Sequence, residues 1–265
     1  MSEKIVIDGI EYRLGNNDSK NWPCAYSWRD FGAEDSPPVL DRAKWQEVDL
    51  SVHLPPVYDQ NGYGACNAYD TCTLIEACRA MAGMEYVRLS PGWLYGHING
   101  QQDRGSMLED AMAWVVRHGI PPESVIGEYA WQSSKWRGKE SAAEAEARKY
   151  RALEIWRCPS FGHLASALQF GFYVSLGVMW YQNYIPDDNG WLPLRGQGSG
   201  GGHAICGYSL CRREDNSRPD KWLYGIKYRQ SWGGKGRAAQ DGILPETAFT
   251  DSIGGWWAAR SVVTA

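Results

Sequence analysis

The sequence has no excess of basic charge and no long apolar run. Its 27 Lys and Arg are outnumbered by 31 Asp and Glu, giving a formal net charge of −4 over 265 residues, so nucleic-acid binding has no electrostatic basis. No run of about eighteen apolar residues occurs, which argues against a membrane span. The first eight residues lack the apolar core of a secretory signal. We therefore expect neither nucleic acid nor membrane as a partner.

The sequence also lacks the motifs of common metal and cofactor sites. Neither Cys-x-x-Cys nor His-Glu-x-x-His occurs, so no zinc site is expected. Residues 196–201 satisfy G-x-G-x-x-G, but a dinucleotide site needs a strand before this motif and a helix after it. Here Leu-Pro-Leu-Arg precedes and a strand-like run follows. We interpret the glycine run as a loop and expect no metal and no cofactor.

Disulfides are not expected either. The seven cysteines are odd in number and no signal peptide precedes them, a combination that favours free thiols in a reducing compartment. The predicted location is therefore the cytoplasm.

Helical periodicity comes first along the chain and strand-like runs come later. Apolar residues recur at three- and four-residue steps from Cys66 to Ala82, and Gly83 can close this helix. Ser106 with Glu109, and Ser141 with Glu144, read as capping boxes that start two further helices. Strand-like runs cover 172–178, 204–210 and 222–228.

This order predicts an α+β fold with two lobes and a cleft between them. We expect residues 1–50 to form an N-terminal extension of loops and short strands that packs on the catalytic domain. The catalytic domain would span 51–265, with a mainly helical lobe over 51–155 and a mainly β lobe over 156–265.

Cys66 and His203 carry the pattern of a nucleophile and its base. A thiol is a strong nucleophile as thiolate, and both an imidazole and a helix N-terminus favour that form. Small residues precede Cys66, as a tight turn requires, and Gln60 lies where its amide could share an oxyanion hole with the Cys66 N–H. His203 follows a glycine run and opens an apolar strand. A cysteine at a helix start can also be a buried structural thiol, but this combination favours the nucleophile.

Taken in chain order, these segments resemble the papain-like cysteine peptidases, in particular their disulfide-poor bacterial and phage members. The resemblance runs from about residue 40 to the C-terminus, and Cys66 and His203 are 137 residues apart, within the roughly 130–150 typical of papain-type enzymes. The matching segments are 54–60 (LPPVYDQ), 64–66 (GAC), 202–204 (GHA), 231–234 (SWGG) and 241–245 (DGILP).

The resemblance implies a papain-like two-lobed fold, with a helical lobe, an antiparallel β-barrel-like lobe and the active-site cleft between them. It also implies a cysteine peptidase: Cys66 attacks a peptide carbonyl and forms a thioester, His203 protonates the leaving amine, and Gln60 stabilises the oxyanion. The implied substrate is a polypeptide in extended conformation. The residues expected to bind or enclose it are Gly64, Gly105, Ser106, Gly202 and Trp232.

The chain departs from the family at the third catalytic position, where Gln230 stands in place of the usual Asn. The longer side chain keeps the amide but needs a compensating backbone or rotamer to orient His203. Two alternatives therefore stay open, a catalytically weak or inactive peptide-binding protein and a Cys–His acyltransferase. The sequence predicts no oligomeric state.

Overall fold

The computed structural model describes residues 4–17, 38–250, 252–260 and 262–263. Within these ranges no helix is long and apolar enough to cross a membrane. The expected loops over 18–37, and Cys24, lie outside the described residues. The helices are α1 (Cys66–Met81), α2 (Pro91–Ile98), α3 (Leu108–Arg117), α4 (Glu140–Ala147) and α5 (Phe161–Gln169), and the strands are β1 (Lys4–Ile7), β2 (Ile10–Arg13), β3 (Val48–Asp49), β4 (Ile155–Arg157), β5 (Tyr173–Tyr181), β6 (Gly200–Glu214), β7 (Trp222–Arg229), β8 (Gly242–Pro245) and β9 (Ser252–Ala259).

An antiparallel sheet makes up most of the second half of the chain. Its strand order is β4-β9-β5-β6-β7-β8, and β3 adds to β6. The long strand β6 lies in the middle, where His203 is opposite Val178 of β5. All three predicted strand-like runs are strands, and the α+β class is confirmed.

Helix α1 lies between the sheet and the other helices. Every residue from Cys66 to Arg79 is buried, because the helix packs on α2 and α3 on one side and on β5 and β6 on the other. A helix covered on all sides needs no polar face, and its hydroxyls bond within the helix, with Thr71 donating to the Asn67 carbonyl at 2.7 Å. The predicted start at Cys66 and stop before Gly83 are confirmed.

Neither predicted capping box forms. Helix α3 begins at Leu108 without a side-chain cap, because the Ser106 Oγ instead accepts a hydrogen bond from Asn67 Nδ2 at 3.0 Å. Ser141 lies inside α4, whose first carbonyl acceptor is Lys139. Both predicted boxes are wrong. The Ser106 hydroxyl is engaged by a residue of another helix, and Ser141 lies inside α4 because that helix begins earlier than predicted.

The first residues of the chain form a hairpin that is part of the main hydrophobic core. Strands β1 and β2 pair in antiparallel register. Ile5, Ile7, Tyr12 and Leu14 are each at most 5% exposed and join the core cluster beneath the sheet. The hairpin therefore fixes the path of residues 14–17, which follow it.

A buried carboxyl group links α1 to the sheet. Asp70 is 3% exposed and accepts a hydrogen bond from the Ser175 hydroxyl of β5 through Oδ2, while its Oδ1 has no hydrogen-bond partner. Burial raises the pKa of Asp70 to about 8, against a small lowering by the Ser175 hydrogen bond. The protonated form is therefore the one that the fold favours.

Asp70→Asn should reduce the loss in free energy of unfolding that occurs as the pH rises. The folded-state pKa lies above the ordinary one, so between the two values the folded state binds the extra proton and the free energy of unfolding drops by about 1.4 kcal/mol per pH unit. The neutral amide removes this contribution; Glu76, whose pKa burial raises to about 7, keeps its own. Urea unfolding at pH 5 and pH 8 measures the change, with the fully exposed Asp188→Asn as control. Equal slopes in both variants would contradict the assignment.

Candidate active site

Cys66 occupies the first position of α1, against the start of β6. Ala65 precedes it as N-cap. Burial raises the pKa of the thiol, and backbone hydrogen bonds from Ala204, Gly15 and Asn67 partly oppose that rise. The backbone groups of these three residues that face Sγ are therefore N–H donors. Ala204 follows His203 directly, and the fold therefore brings the predicted nucleophile to the strand that carries the predicted base.

His203 and Gln230 are in hydrogen-bond contact. His203 Nε2 lies 3.2 Å from Gln230 Oε1, and Gln230 Nε2 donates to the Ala238 carbonyl. That second bond fixes the amide with its oxygen toward the ring, so Nε2 carries the proton and Nδ1 is the free base. Nδ1 is buried without a hydrogen-bond partner. The longer Gln230 side chain thus reaches the imidazole as an Asn would.

Trp232 covers the histidine. Its ring stacks on His203 with centroids 4.5 Å apart and an interplanar angle of 22°. Trp180 closes the edge at 5.4 Å. The His203 side chain is fully buried as a result.

Gln60 is anchored beside the same site. Its backbone N–H donates to the Ser231 carbonyl at 2.8 Å, and its Oε1 accepts from the Ser231 hydroxyl at 2.7 Å. These bonds aim Nε2 at the Tyr63 carbonyl, at 2.7 Å, and at the Arg13 carbonyl, at 3.0 Å. The Arg13 carbonyl oxygen therefore accepts from the Gln60 amide, the group expected to bind the oxyanion of a substrate.

Residues 13–17 of the protein itself occupy the cleft. The Ser106 N–H donates to the Gly15 carbonyl and the Asn17 N–H to the Ser106 carbonyl, both at 2.8 Å, and the Asn16 N–H donates to the Gly202 carbonyl at 3.0 Å. Asn16 and Ser106 form a parallel bridge. We call residues 13–17 the cleft segment.

Glycines allow the cleft segment to lie this close. A Cβ on Gly15 would be 2.1 Å from the Gly64 carbonyl oxygen, and one on Gly105 would be 2.4 Å from the Gly15 carbonyl oxygen. The predicted substrate-binding residues Gly64, Gly105, Ser106 and Gly202 are therefore gathered around one stretch of backbone.

Two side chains that sequence reasoning missed hold the segment in place. Arg13 forms an ion pair with Asp103 at 2.6 Å, and Asp103 also accepts from the Gly64 N–H at 2.9 Å. Tyr12 stacks on Trp232 with centroids 4.2 Å apart. No motif announces these residues, because their partners lie far away in sequence.

Burial keeps both Cys66 and His203 neutral. It raises the pKa of the Cys66 thiol to about 12, outweighing the three N–H donors. It lowers the pKa of His203 to about 3, against the opposing effect of Gln230. At neutral pH the described form therefore holds a thiol and a neutral imidazole, and not a thiolate–imidazolium pair.

Comparisons with known proteins agree on the architecture. The chain is similar to xylellain, a cysteine protease from Xylella fastidiosa, at 18% identity and a TM-score of 0.71, over 99% of each chain. It is similar to procathepsin B S9 from Trypanosoma congolense (14% identity, TM-score 0.65, 95% of this chain and 87% of that one). It is also similar to bromelain from Ananas comosus, solved with the inhibitor E64 (14%, 0.61, 81% and 97%). No protein-family model and no curated protein sequence matches significantly.

These likenesses show that the chain has the papain-like cysteine-protease fold, which confirms the expected fold. Among the described residues, no group of three or more His, Cys, Asp or Glu side chains could hold a metal ion.

Arg13→Ala should make Cys66 more accessible. The ion pair with Asp103 is mostly buried, with side chains 21% and 18% exposed, and losing about 1 kcal/mol of interaction should raise the alkylation rate of Cys66 by iodoacetamide about fivefold. Peptide mass spectrometry after timed labelling gives this rate. Lys4→Ala, which removes an exposed ion pair from the same hairpin, is the matched control, and equal rates in the two variants would mean that Arg13 does not hold the segment.

Proposed function

We propose that this protein is a cysteine peptidase that hydrolyses peptide bonds through Cys66 and His203, and that the cleft segment keeps it latent. The observation that carries the proposal is the pairing of the cleft segment itself. An extended polypeptide lies in the cleft, bonded by its main chain to Ser106 and Gly202, with a carbonyl oxygen on Gln60. Main-chain pairing of this kind is how an extended peptide substrate is bound.

Hydrolysis would follow from the same contacts. The Cys66 thiol passes its proton to Nδ1 of His203, and its sulphur attacks the carbonyl carbon. The oxyanion takes the place of the Arg13 oxygen at Gln60 Nε2, next to the Cys66 N–H. The C–N bond breaks as His203 gives its proton to the leaving amine, which leaves a thioester on Cys66. A water molecule, deprotonated by His203, then attacks the thioester and releases the carboxylate and the thiol. Gln230 holds the Nε2–H of His203 throughout and stabilises the imidazolium.

The cleft segment is bound in a way that does not lead to its own cleavage. The Cys66 sulphur accepts a hydrogen bond from the Gly15 N–H, a group that a thiolate cannot attack. The carbonyl at Gln60 belongs to Arg13, two residues earlier. Release of the segment would return water to the cleft, and hydration favours the charged forms of both catalytic groups.

The contact between Gln230 and His203 favours catalysis over a purely peptide-binding role. A binding protein needs the cleft but has no use for an oriented imidazole. No observation favours acyl transfer to amines over transfer to water. The six described cysteines are free thiols, which supports the proposed reducing, cytoplasmic location.

Opening the cleft should switch on hydrolysis that depends on Cys66. A recognition sequence for a site-specific protease placed within residues 18–37 lets the chain fold intact and be cut afterwards, so that the segment can leave. The cut chain should hydrolyse fluorogenic peptides, and its Cys66→Ala variant should not. Cys158→Ala, which changes a buried cysteine of the core cluster that contains the hairpin, should keep the activity. Hydrolysis that survives Cys66→Ala would overturn the proposed mechanism.

Gln230→Ala should lower kcat/KM of the cut chain about tenfold or more, since a loss of 1.4 kcal/mol in transition-state stabilisation is a factor of ten. Gln230→Asn keeps an amide beside His203 and should keep most of the rate. The pH dependence of kcat/KM in the three forms separates loss of imidazole orientation from loss of folding. Identical rates and profiles would show that Gln230 has no catalytic part.

A further inference from the structure

The Asn16 side chain fills a pocket in the β lobe next to the catalytic residues. Asn16 is 5% exposed, and its main chain is fixed by the bond from its N–H to the Gly202 carbonyl, at 3.0 Å, and by the bridge to Ser106. His203 follows Gly202 directly. A side chain at this point of any bound peptide would enter the same pocket.

Glycines limit the size of this pocket. A Cβ on Gly177 would lie 2.9 Å from Asn16 Nδ2, and a Cβ on Gly254 would lie 2.8 Å from Asn16 Oδ1. The same added atom on Gly254 would be 3.1 Å from the Leu108 Cβ, so Leu108 lies next to Gly254 beside the pocket. The short carboxamide therefore already touches both glycines, and a longer or branched side chain would have to displace backbone.

A carbonyl oxygen gives the pocket its chemical preference. The β5–β9 register runs from Leu176 opposite Trp256 to Val178 opposite Ser252, so three residues of β9 face Gly177 alone. This bulge turns the Ile253 carbonyl toward Asn16, whose Nδ2 donates to it at 2.6 Å. A buried carbonyl left without a donor costs on the order of 1–3 kcal/mol. The pocket therefore favours a side chain that is short and donates a hydrogen bond.

We propose that this pocket prefers Asn over its isostere Asp and over large apolar side chains of a bound peptide, an inference that rests on the proposed peptidase function. Asp would place carboxylate oxygens against the Ile253 carbonyl, where two acceptors repel each other. Leu or Phe would leave that carbonyl unpaired and collide with the glycine backbone. Asn16 uses the pocket in the latent form, and a substrate Asn uses it when the segment has left.

The first test uses the intact chain and needs no hydrolysis. Asn16→Asp changes the donor to an acceptor without changing shape, and should raise the alkylation rate of Cys66 at pH 7.5 about tenfold or more. Asn17→Asp introduces the same charge one residue further on, where the backbone N–H makes the hydrogen bond to Ser106, and should change the rate by less than about twofold. Thermal unfolding of both variants confirms that each is folded. If Asn16→Asp labels no faster than Asn17→Asp, the pocket does not select for the amide donor.

The second test asks which peptides the opened cleft binds. Capped alanine tetrapeptides with Asn, Asp or Leu at one position compete with iodoacetamide for Cys66 in the chain that has been cut within residues 18–37. At one position of the peptide, the Asn form should give half-protection at a concentration about tenfold lower than the Asp and Leu forms. Equal or better protection by Asp or Leu at every position, or no protection by any peptide, would overturn the inference.

The two proposals fail separately in this design. Mass spectrometry of the same samples reports cleavage of the peptides. Protection that prefers Asn without any cleavage would defeat the peptidase proposal and support the pocket's preference for Asn. Cleavage with a preference for Leu would do the reverse.

Discussion

The structure depends on the removal of the Cys66 thiol and the His203 imidazole from water. The Gly15 N–H of the cleft segment faces the thiol, and Trp232 and Trp180 cover the imidazole. Both groups are fully buried, and their pKa values move in opposite directions, to about 12 and about 3. Each shift favours the neutral form. Both side chains are thus held uncharged in the described form.

The closed form is a balance of opposing contributions. The hairpin buries Ile5, Ile7 and Leu14 almost completely, and each such side chain contributes about 1.5–3 kcal/mol. Against this, the His203 Nδ1 and the Asn16 Oδ1 are buried without hydrogen-bond partners, and each such atom costs on the order of 1–3 kcal/mol. These two unpaired atoms therefore oppose the closed form, and the Arg13–Asp103 ion pair adds to the contacts that favour it.

The sequence predicted the parts of the site that are local. The small residues before Cys66 and the helical period after it place the thiol at a helix start, and the structure puts it at the first position of α1. Gln230 could be questioned from its length alone. The orientation of its amide could not be predicted. That orientation depends on the hydrogen bond to the Ala238 carbonyl, and therefore on how the loop after β7 folds back.

The parts that escaped prediction are those decided by tertiary pairing. Ser106 has the spacing of a capping box, yet its hydroxyl accepts a hydrogen bond from Asn67 and is not available to cap α3. The bulge at Gly254 has no signal beyond two adjacent glycines, and its effect on the Ile253 carbonyl needs the register of β5. Residue type and spacing indicated Cys66 and His203 as candidates. The position of residues 13–17 beside them depends on tertiary contacts and could be seen only in the fold.

The Ala238 carbonyl explains how the longer Gln230 side chain can hold its amide toward the imidazole. A side chain with one more methylene has more rotamers to lose, and a free amide would rotate away from the imidazole. Here the amide is held at both ends, by His203 and by Ala238, and Trp232 is clamped between His203 and Tyr12. Tyr12 belongs to the hairpin, whereas Gln230 and the Ala238 carbonyl both lie in the second half of the chain. The orientation of His203 by Gln230 therefore rests on contacts that do not involve the cleft segment.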